Sequence, residues 1–357
     1  MSSDFGKNVK ISLFGQSHSK AIGVVLDGLP AGEKIDMEKV LDFMARRRPG
    51  GSDYVTQRRE ADKPVILSGL VEGVTCGAPL AVMIENTDTR SQDYDNLRYV
   101  PRPSHADYPA FVKHGGFNDI RGGGHFSGRL TAPLCFAGAV CKQILERRGV
   151  SVGVHVASIA SIKDSPFDPV NLKKEDLLSA GQKAFPTNDD KAGREMVNQI
   201  KAAAKDRDSV GGIVECGAIG LPVGLGAPMF DGVENRLTSA IFGIPAVRGV
   251  EFGAGFEAAA MRGSEHNDPY YFEGDKVKSF TNNHGGILGG MTTGMPLIFR
   301  VAFKPTSSIG KEQKSVDLIK KEDSKLKIVG RHDPCIVPRA AVVVEAVTAA
   351  VLLDWLL

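Results

Sequence analysis

The chain has 357 residues, a formal net charge of +2 and 42% hydrophobic residues. This length allows one large domain or two ordinary ones, and the apolar content is sufficient for a substantial core. Because basic and acidic side chains nearly balance, the composition argues against a general nucleic-acid binder, and any strong positive field must be local.

The cysteines and the hydropathy pattern further limit the class of protein and its cellular compartment. Five cysteines are widely spaced without a C-x-x-C pair, which argues against a disulfide framework or a zinc site and suits a reducing compartment. The amino terminus shows no signal-peptide pattern. The most apolar run, residues 340–357, is interrupted by Glu345 and Asp354 and is too short to span a bilayer. We therefore expect a cytoplasmic protein without a membrane span or a bound metal.

Predicted strands and helices follow one another in groups along the chain. Alternating or continuous apolar runs predict strands at 9–14, 23–28, 65–69, 81–85, 152–159, 211–219, 246–255 and 297–303. Apolar residues at helical spacing predict helices at 36–48, 130–147, 171–184, 193–206, 230–242 and 339–357. A second half begins near residue 150, and no fixed-period repeat is visible. This grouping favours an α+β layered fold over a Rossmann fold, and no dinucleotide fingerprint occurs in the proper context.

Two charged segments stand out in this pattern. The first predicted helix reaches Arg46, Arg47 and Arg48 in its last turn. Cations there oppose the helix dipole, but three in a row exceed what capping needs. The second segment, residues 311–325, is so rich in charge that we expect a mobile, solvated excursion.

The stretch from Arg102 to Arg129 carries the strongest functional signal. It combines three histidines with three successive glycines at 122–124, and it ends where the apolar helix pattern of 130–147 begins. Glycines let backbone approach a ligand closely, and backbone N–H groups ahead of a helix start can bind an anion. An anion site is therefore a better interpretation than a plain surface loop.

The arginines and histidines favour a small ligand with several acidic groups. Guanidinium groups match carboxylate and phosphate bidentately, and arginines recur in loops and at element ends: Arg46, Arg47, Arg48, Arg58, Arg59, Arg90, Arg102, Arg121, Arg129 and Arg331. Histidine titrates nearest neutral pH. The histidines in polar loops are His18, His105 and His332, whereas His155 lies in an apolar strand and is expected in the core. For His114, His266 and His284 the structural interpretation is favoured.

Two further positions add to this interpretation. The segment KPTSS at 304–308 offers one cation and three hydroxyls after a strand, a reasonable phosphate cradle. Asp333 lies at a helix entry, where an aspartate is more often an N-cap than a catalytic group. The residues thus indicate an enzyme that binds a small polyanion and uses histidine acid–base chemistry, and they leave the reaction open.

Eight motifs occur in one order over essentially the whole chain. They are GQSHS at 15–19, RRRPGG at 46–51 with TQRRE at 56–60, NTDTRSQDY at 86–94, RPSHADY at 102–108, RGGG at 121–124 with Arg129, GGILGG at 285–290, FKPTSS at 303–308 and GRHDPC at 330–335. In this set and order the sequence resembles the chorismate synthase family.

The resemblance implies a single domain over residues 1–357 with a layered β-α-β sandwich, assembled as a homotetramer. It implies the 1,4-elimination of phosphate from 5-enolpyruvylshikimate 3-phosphate to give chorismate, a step of aromatic amino-acid synthesis. The reaction needs reduced FMN although it is redox-neutral, because the flavin lends electron density to the breaking bond.

The family's motifs also imply roles for individual residues. His18 would protonate the leaving phosphate, His105 would stabilise the reduced flavin, and Asp333 would accept the flavin N5 proton. The implied substrate ligands are Arg47, Arg48 and Arg129. The implied FMN ligands are His125, Phe126, Ser127, Gly289, Lys304, Pro305, Thr306, Ser307, Ser308 and Arg331.

The chain departs from the common family pattern at Gln16, Ser19, Asp53, His125 and Phe126. The changes at His125 and Phe126 remove a basic residue from the triple-glycine motif, and Asp53 stands where an arginine is often found, which weakens any nicotinamide contact there. Since no added reductase-like domain is present, we expect an external flavin reductase to supply electrons, with NADPH as an indirect source.

Two other functions fit the arginine-rich composition. A flavin oxidoreductase of the same fold would consume reductant stoichiometrically, whereas a lyase needs its flavin reduced only catalytically. A non-catalytic module for polyanions such as RNA would show a steep salt dependence and no need for His18.

Overall fold

Two antiparallel five-stranded sheets enclose a layer of helices in the computed structural model, which describes residues 3–48, 60–87, 97–328 and 333–357. The strands are β1 Asp4–Phe5, β2 Lys10–Gly15, β3 Ala21–Asp27, β4 Pro64–Ile66, β5 Leu70–Val71, β6 Val74–Thr75, β7 Leu80–Glu85, β8 Ser151–Ile159, β9 Ile162–Lys163, β10 Gly212–Ile219, β11 Val247–Phe252, β12 Tyr270–Glu273, β13 Lys276–Ser279, β14 Ile287–Leu288, β15 Met291–Thr292, β16 Leu297–Phe303, β17 Gln313–Asp317 and β18 Glu322–Leu326. The helices are α1 Met37–Ala45, α2 Asp107–Lys113, α3 Thr131–Arg147, α4 Lys174–Ser179, α5 Asp190–Lys205, α6 Val233–Ile241, α7 Gly263–His266 and α8 Val337–Leu356.

The first sheet has the strand order β1-β2-β3-β7-β4, and the second has the order β11-β16-β10-β8-β9. Each neighbouring pair in these sheets is antiparallel. Helix α3 packs on β2, β3 and β7 of the first sheet, while α8 packs on β8 and β10 of the second. The layers are therefore sheet, helices, sheet, and the predicted β-α-β sandwich is confirmed.

Helices α3 and α8 form the middle layer because both are apolar almost all round. They approach so closely that a Cβ at Gly138 would collide with the backbone of Ala346. The charged residues of α8 keep partners in this layer: Glu345 pairs with Arg46 at 2.7 Å, and Asp354 pairs with Arg236. The buried core of both sheets and both helices is one continuous cluster.

The structure corrects three predictions made from the sequence. Helix α1 ends at Ala45, so the arginine triplet follows the helix instead of forming its last turn. The helix predicted at 171–184 is the short α4 followed by a 3₁₀ turn, Ala180–Gln182. Residues 311–325, expected as a solvated excursion, form most of the β17–β18 hairpin, whose Leu326 packs against Leu97.

Four of the five unpaired cysteines are buried and Cys76 is exposed. Across the described ranges, no helix is both long enough and apolar enough to cross a membrane.

Candidate functional site

The triple-glycine loop, residues 122–124, contacts two histidines that are 87 residues apart in the chain. A Cβ at Gly122 would stand 2.5 Å from Nδ1 of His18, and a Cβ at Gly123 would stand 3.5 Å from Nε2 of His105. Both glycines have positive φ, 58° and 83°, which few other residues adopt without strain. The loop therefore brings the two predicted catalytic histidines together.

Two hydrogen-bonding groups hold the turn that carries His18. The amide of Ser17 donates to the carbonyl of Gly124 at 3.0 Å, which ties this turn to the glycine loop. The side-chain amide of Asn86 donates to two carbonyls of the same turn, at 2.8 and 3.0 Å, and its oxygen accepts from Nε of Arg129 at 3.1 Å. His18 itself is 8% exposed, so its position is fixed from several sides.

The departure at Ser19 has a local structural role. The Ser19 hydroxyl accepts from the amide of Gln16 at 2.9 Å and donates to the carbonyl of Ala21 at 2.7 Å. The Ser19 side chain thus helps to close the turn around His18, and Gln16 takes part through its backbone.

His105 belongs to a buried charged cluster. Its Nδ1 lies 2.6 Å from a carboxylate oxygen of Asp107, and Arg102 donates to both carboxylate oxygens at 2.7 and 2.8 Å. Burial alone would raise the pKa of Asp107, but the hydrogen bonds from Arg102 and His105 outweigh it and hold that pKa well below its ordinary value. Asp107 is therefore ionised and accepts the Nδ1 proton of His105, so that Nε2 is left toward the glycine loop.

The KPTSS segment lies directly against this cluster. Arg102 donates to the hydroxyl of Ser308 at 3.2 Å, and the ammonium group of Lys304 donates to the carbonyl of Ser104. Burial, and then the nearby charge of Arg248, lower the pKa of Lys304. The predicted phosphate cradle and the predicted flavin-side histidine are therefore neighbours.

A second cluster surrounds the buried arginines Arg47 and Arg129. Asp62 lies between them: one oxygen accepts from Arg47 at 2.9 Å and the other pairs with Arg129. Arg129 also pairs with Glu60 at 2.7 Å and, as described, with Asn86. This last contact connects the second cluster to the turn of His18.

Asp333 lies at the edge of the second cluster and is not a helix N-cap. The N-cap of α8 is Ile336, and Asp333 instead accepts a hydrogen bond from Nη1 of Arg339 at 2.6 Å. Nε of the same guanidinium donates to the backbone carbonyl of Arg47 at 2.9 Å. Asp333 is 9% exposed, and its Oδ1 has no hydrogen-bond partner of ordinary geometry within the part of the chain that the structure describes.

Residues His125, Phe126 and Ser127 face a different space from the two histidines predicted to be catalytic. They line a cavity of about 520 Å³ bounded by β1, β2, α3, α6 and α8. The His125 ring lies between the Ser3 hydroxyl at 2.6 Å and the Gly15 carbonyl at 2.7 Å. Its side chain thus fastens the amino-terminal strand to the glycine loop.

Three other predicted positions have separate outcomes. Gly289 occupies the first position of the two-residue turn between β14 and β15, with φ of 60°, which accounts for a glycine there. Arg48 is half-buried beside the second cluster. Arg331 and the departure Asp53 lie outside the described residues.

The prediction for His155 is confirmed. It is fully buried between two carboxylates, with Nδ1 2.8 Å from Asp164 and Nε2 2.8 Å from Glu215. His266 and His284 stack edge to face, with ring centroids 4.6 Å apart.

Four residues of the site were not predicted as site residues from the sequence: Asp62, Asn86, Asp107 and Arg339. Asp107 stands two residues after His105, a spacing that could have suggested a carboxylate partner. Arg339 is one of three charged residues in a largely apolar helix, which is itself a signal. Asn86 opens the NTDTRSQDY motif, whereas Asp62 gives no local signal, because only the folding of distant segments brings it between the arginines.

Comparisons with known proteins agree on one family. The sequence profile described as chorismate synthase matches residues 9–357. The chain is 48% identical over 352 residues to the chorismate synthase of Thermococcus kodakarensis, covering 99% of this chain and 97% of the relative. It is 45% identical over 354 residues to that of Dehalococcoides mccartyi, covering 99% and 96%. A crystal structure titled chorismate synthase matches with a TM-score of 0.77 and 29% identity, over 98% of this chain and 92% of the other. The chain therefore belongs to the chorismate synthase family, which makes it a carbon–oxygen lyase of aromatic amino-acid biosynthesis.

Proposed function

We propose that the network around the triple-glycine loop eliminates phosphate from 5-enolpyruvylshikimate 3-phosphate to give chorismate, with reduced FMN as cofactor. The observation that carries this assignment is the position of His18 and His105 against adjacent glycines of one loop. The acid that protonates the leaving phosphate and the residue that contacts the flavin must both lie close to the same bound substrate. The glycines have no side chains, so both histidines can approach the loop closely.

The residues present fit a reduced flavin. Lys304 and the hydroxyls that follow it would hold the flavin phosphate, since the buried Oγ1 of Thr306 has no hydrogen-bond partner among the described residues and buried polar atoms rarely lack one. Burial of the Lys304 ammonium also favours an anionic partner. When bound, reduced flavin supplies electron density for the breaking C–O bond. Gly289, His125, Phe126, Ser127 and Arg331 stay predicted contacts from the family resemblance.

The histidines have different tasks in this proposal. His18 donates a proton to the departing phosphate oxygen, which makes phosphate a better leaving group. His105 is oriented by ionised Asp107, which fixes the tautomer of its ring, and Nε2 lies toward the glycine loop. In this proposal Nε2 is the atom that contacts the flavin. Asp333 can take up a proton at Oδ1, because only its other oxygen is hydrogen-bonded to Arg339.

The arginines provide the site for the substrate's acidic groups. Arg47 and Arg129 share Asp62, so their local charge is already partly balanced. Buried Nε atoms of Arg47 and Arg48 have no hydrogen-bond partner in the described ranges. These groups can donate to carboxylate or phosphate without breaking an existing ion pair.

Several parts of the proposal concern the whole molecule. One continuous core supports a single domain. A homotetramer, a separate flavin reductase drawing on NADPH, and a cytoplasmic location stay predictions from the sequence and its family resemblance.

The test is an anaerobic measurement of phosphate and chorismate with FMN held well below the substrate concentration. With photoreduced FMN, the proposal predicts equal amounts of both products and many turnovers per flavin. With oxidised FMN it predicts none. Consumption of one reductant per product would identify a net redox enzyme instead, and absence of products with reduced FMN would contradict the assigned reaction.

A further inference from the structure

We propose that Arg339 is a positioning residue for the elimination, holding the Asp333 carboxylate and the backbone after α1 in one fixed arrangement. The proposal deepens the proposed function and rests on the role given there to Asp333. Arg339 does not need to touch substrate or flavin. It acts by fixing which oxygen of Asp333 is available and where the arginine triplet lies.

The geometry is that of a planar guanidinium with two separate acceptors. Nη1 of Arg339 donates to Oδ2 of Asp333 at 2.6 Å, and Nε donates to the Arg47 carbonyl at 2.9 Å. Because the guanidinium plane is rigid, the two acceptors cannot move independently. One side chain on α8 thus couples the proposed proton acceptor to the backbone of a proposed substrate ligand.

The same helix anchors the triplet at a second point. Arg46 pairs with Glu345 at 2.7 Å, and Glu345 also faces Lys142 at 3.4 Å. Glu345 is fully enclosed, with 2% exposure. Two consecutive residues are therefore held to α8, Arg46 through its side chain and Arg47 through its backbone carbonyl.

The charged groups around the Asp333–Arg339 pair come from several elements. Arg339 acts on Asp333 directly, and Arg339 is itself influenced by Arg47, which follows α1, and by Glu60, which precedes β4. The Cys335 thiol, also close, is neutral because burial raises its pKa to about 12. Burial raises the pKa of Asp333, and the charge and hydrogen bond of Arg339 oppose that rise. Without the guanidinium, Asp333 would be protonated over a wider pH range and could not accept a proton there.

The experiment compares Arg339→Met, Arg339→Lys and Asp333→Asn with the wild type. Phosphate release from 5-enolpyruvylshikimate 3-phosphate is measured anaerobically with photoreduced FMN between pH 6 and pH 10. A matched control is Arg236→Met, which removes another arginine paired with a carboxylate of α8, Asp354, outside the proposed site. Melting temperature and KM are recorded for every variant.

Arg339→Met is expected to move the acidic limb of the kcat profile upward by about 1–3 pH units, the range for loss of one adjacent opposite charge. Turnover should fall at least tenfold at pH 7 and recover at high pH. Arg339→Lys keeps the charge and should show a smaller shift with a raised KM. Arg236→Met should lower the melting temperature without moving the limb.

Each other result decides against part of the account. If Asp333→Asn is inactive while Arg339→Met loses activity equally at all pH values, Arg339 is only structural. If Asp333→Asn keeps wild-type turnover, the proposed role of Asp333 is refuted, and so is the proposal for Arg339 that depends on it. If Arg339→Met does not fold, Arg339→Lys decides, and an unchanged limb and KM would overturn the proposal.

Discussion

Replacing Gly122 with alanine should reduce activity by displacing His18. A Cβ at this position would stand 2.5 Å from both Nδ1 of His18 and Oγ of Ser17. Ordinary contact begins at 3.4 Å, so the ring must move by about 1 Å, and a misplacement of that size can cost about 10²-fold in rate.

The neighbouring glycines provide matched controls for this change. Gly122 and Gly123 both have positive φ, so alanine costs about 1–2 kcal/mol of stability at either position. At Gly123, however, the Cβ would only make ordinary contacts with His105, at 3.4 and 3.5 Å. At Gly128 nothing lies within 4 Å and no left-handed backbone is required.

The assay is anaerobic phosphate release with reduced FMN, together with urea unfolding of each variant. Gly122→Ala is expected to lose about 10²-fold in turnover, Gly123→Ala to lose similar stability with turnover near that of the wild type, and Gly128→Ala to change neither. Equal turnover of Gly122→Ala and Gly123→Ala would refute the idea that the glycine loop sets the position of His18.

Two other substitutions test the buried charges. Asp107→Asn should lower turnover at least about tenfold, because His105 loses the ionised acceptor that fixes its tautomer; an unchanged rate per folded molecule would contradict this. At His155 burial alone would lower the pKa, but hydrogen bonds to Asp164 and Glu215 raise it above its ordinary value. The charged form thus stabilises the fold below the ordinary pKa, and this contribution is lost as pH rises through the raised pKa. His155→Gln should therefore lower the free energy of unfolding by about 3–5 kcal/mol at pH 6 and by less at pH 9. The measurement is urea unfolding at both pH values, and an equal loss at pH 6 and pH 9 would contradict this reasoning.

The elements that the sequence predicted well are those with long apolar patterns. Strands β8, β10 and β16 and helices α3 and α8 all lie in or against the core, where hydrophobic spacing directly reflects burial. The β17–β18 hairpin was missed because its exposed faces carry charge and only Leu326 is buried. Its folding depends on contacts with a distant segment, and local composition does not record these.

The site could be predicted only in part for a related reason. His18, His105, Arg47 and Arg129 belong to motifs, so a family resemblance indicates them directly. Asp62 has no such motif, and its role follows from the fold, which places one carboxylate oxygen against Arg47 and the other against Arg129. That arrangement is a property of the folded chain, as is the contact of Arg339 with Asp333.

The most direct test of the account is the turnover of His18→Ala beside His114→Ala, a histidine at the carboxyl end of α2. Phosphate and chorismate are measured anaerobically with reduced FMN, and folding is checked by melting temperature. The account predicts that His18→Ala folds but loses about 10²–10⁴-fold in turnover, the contribution of a positioned acid, while His114→Ala keeps wild-type turnover. Wild-type turnover in folded His18→Ala would contradict the claim that this histidine protonates the leaving phosphate.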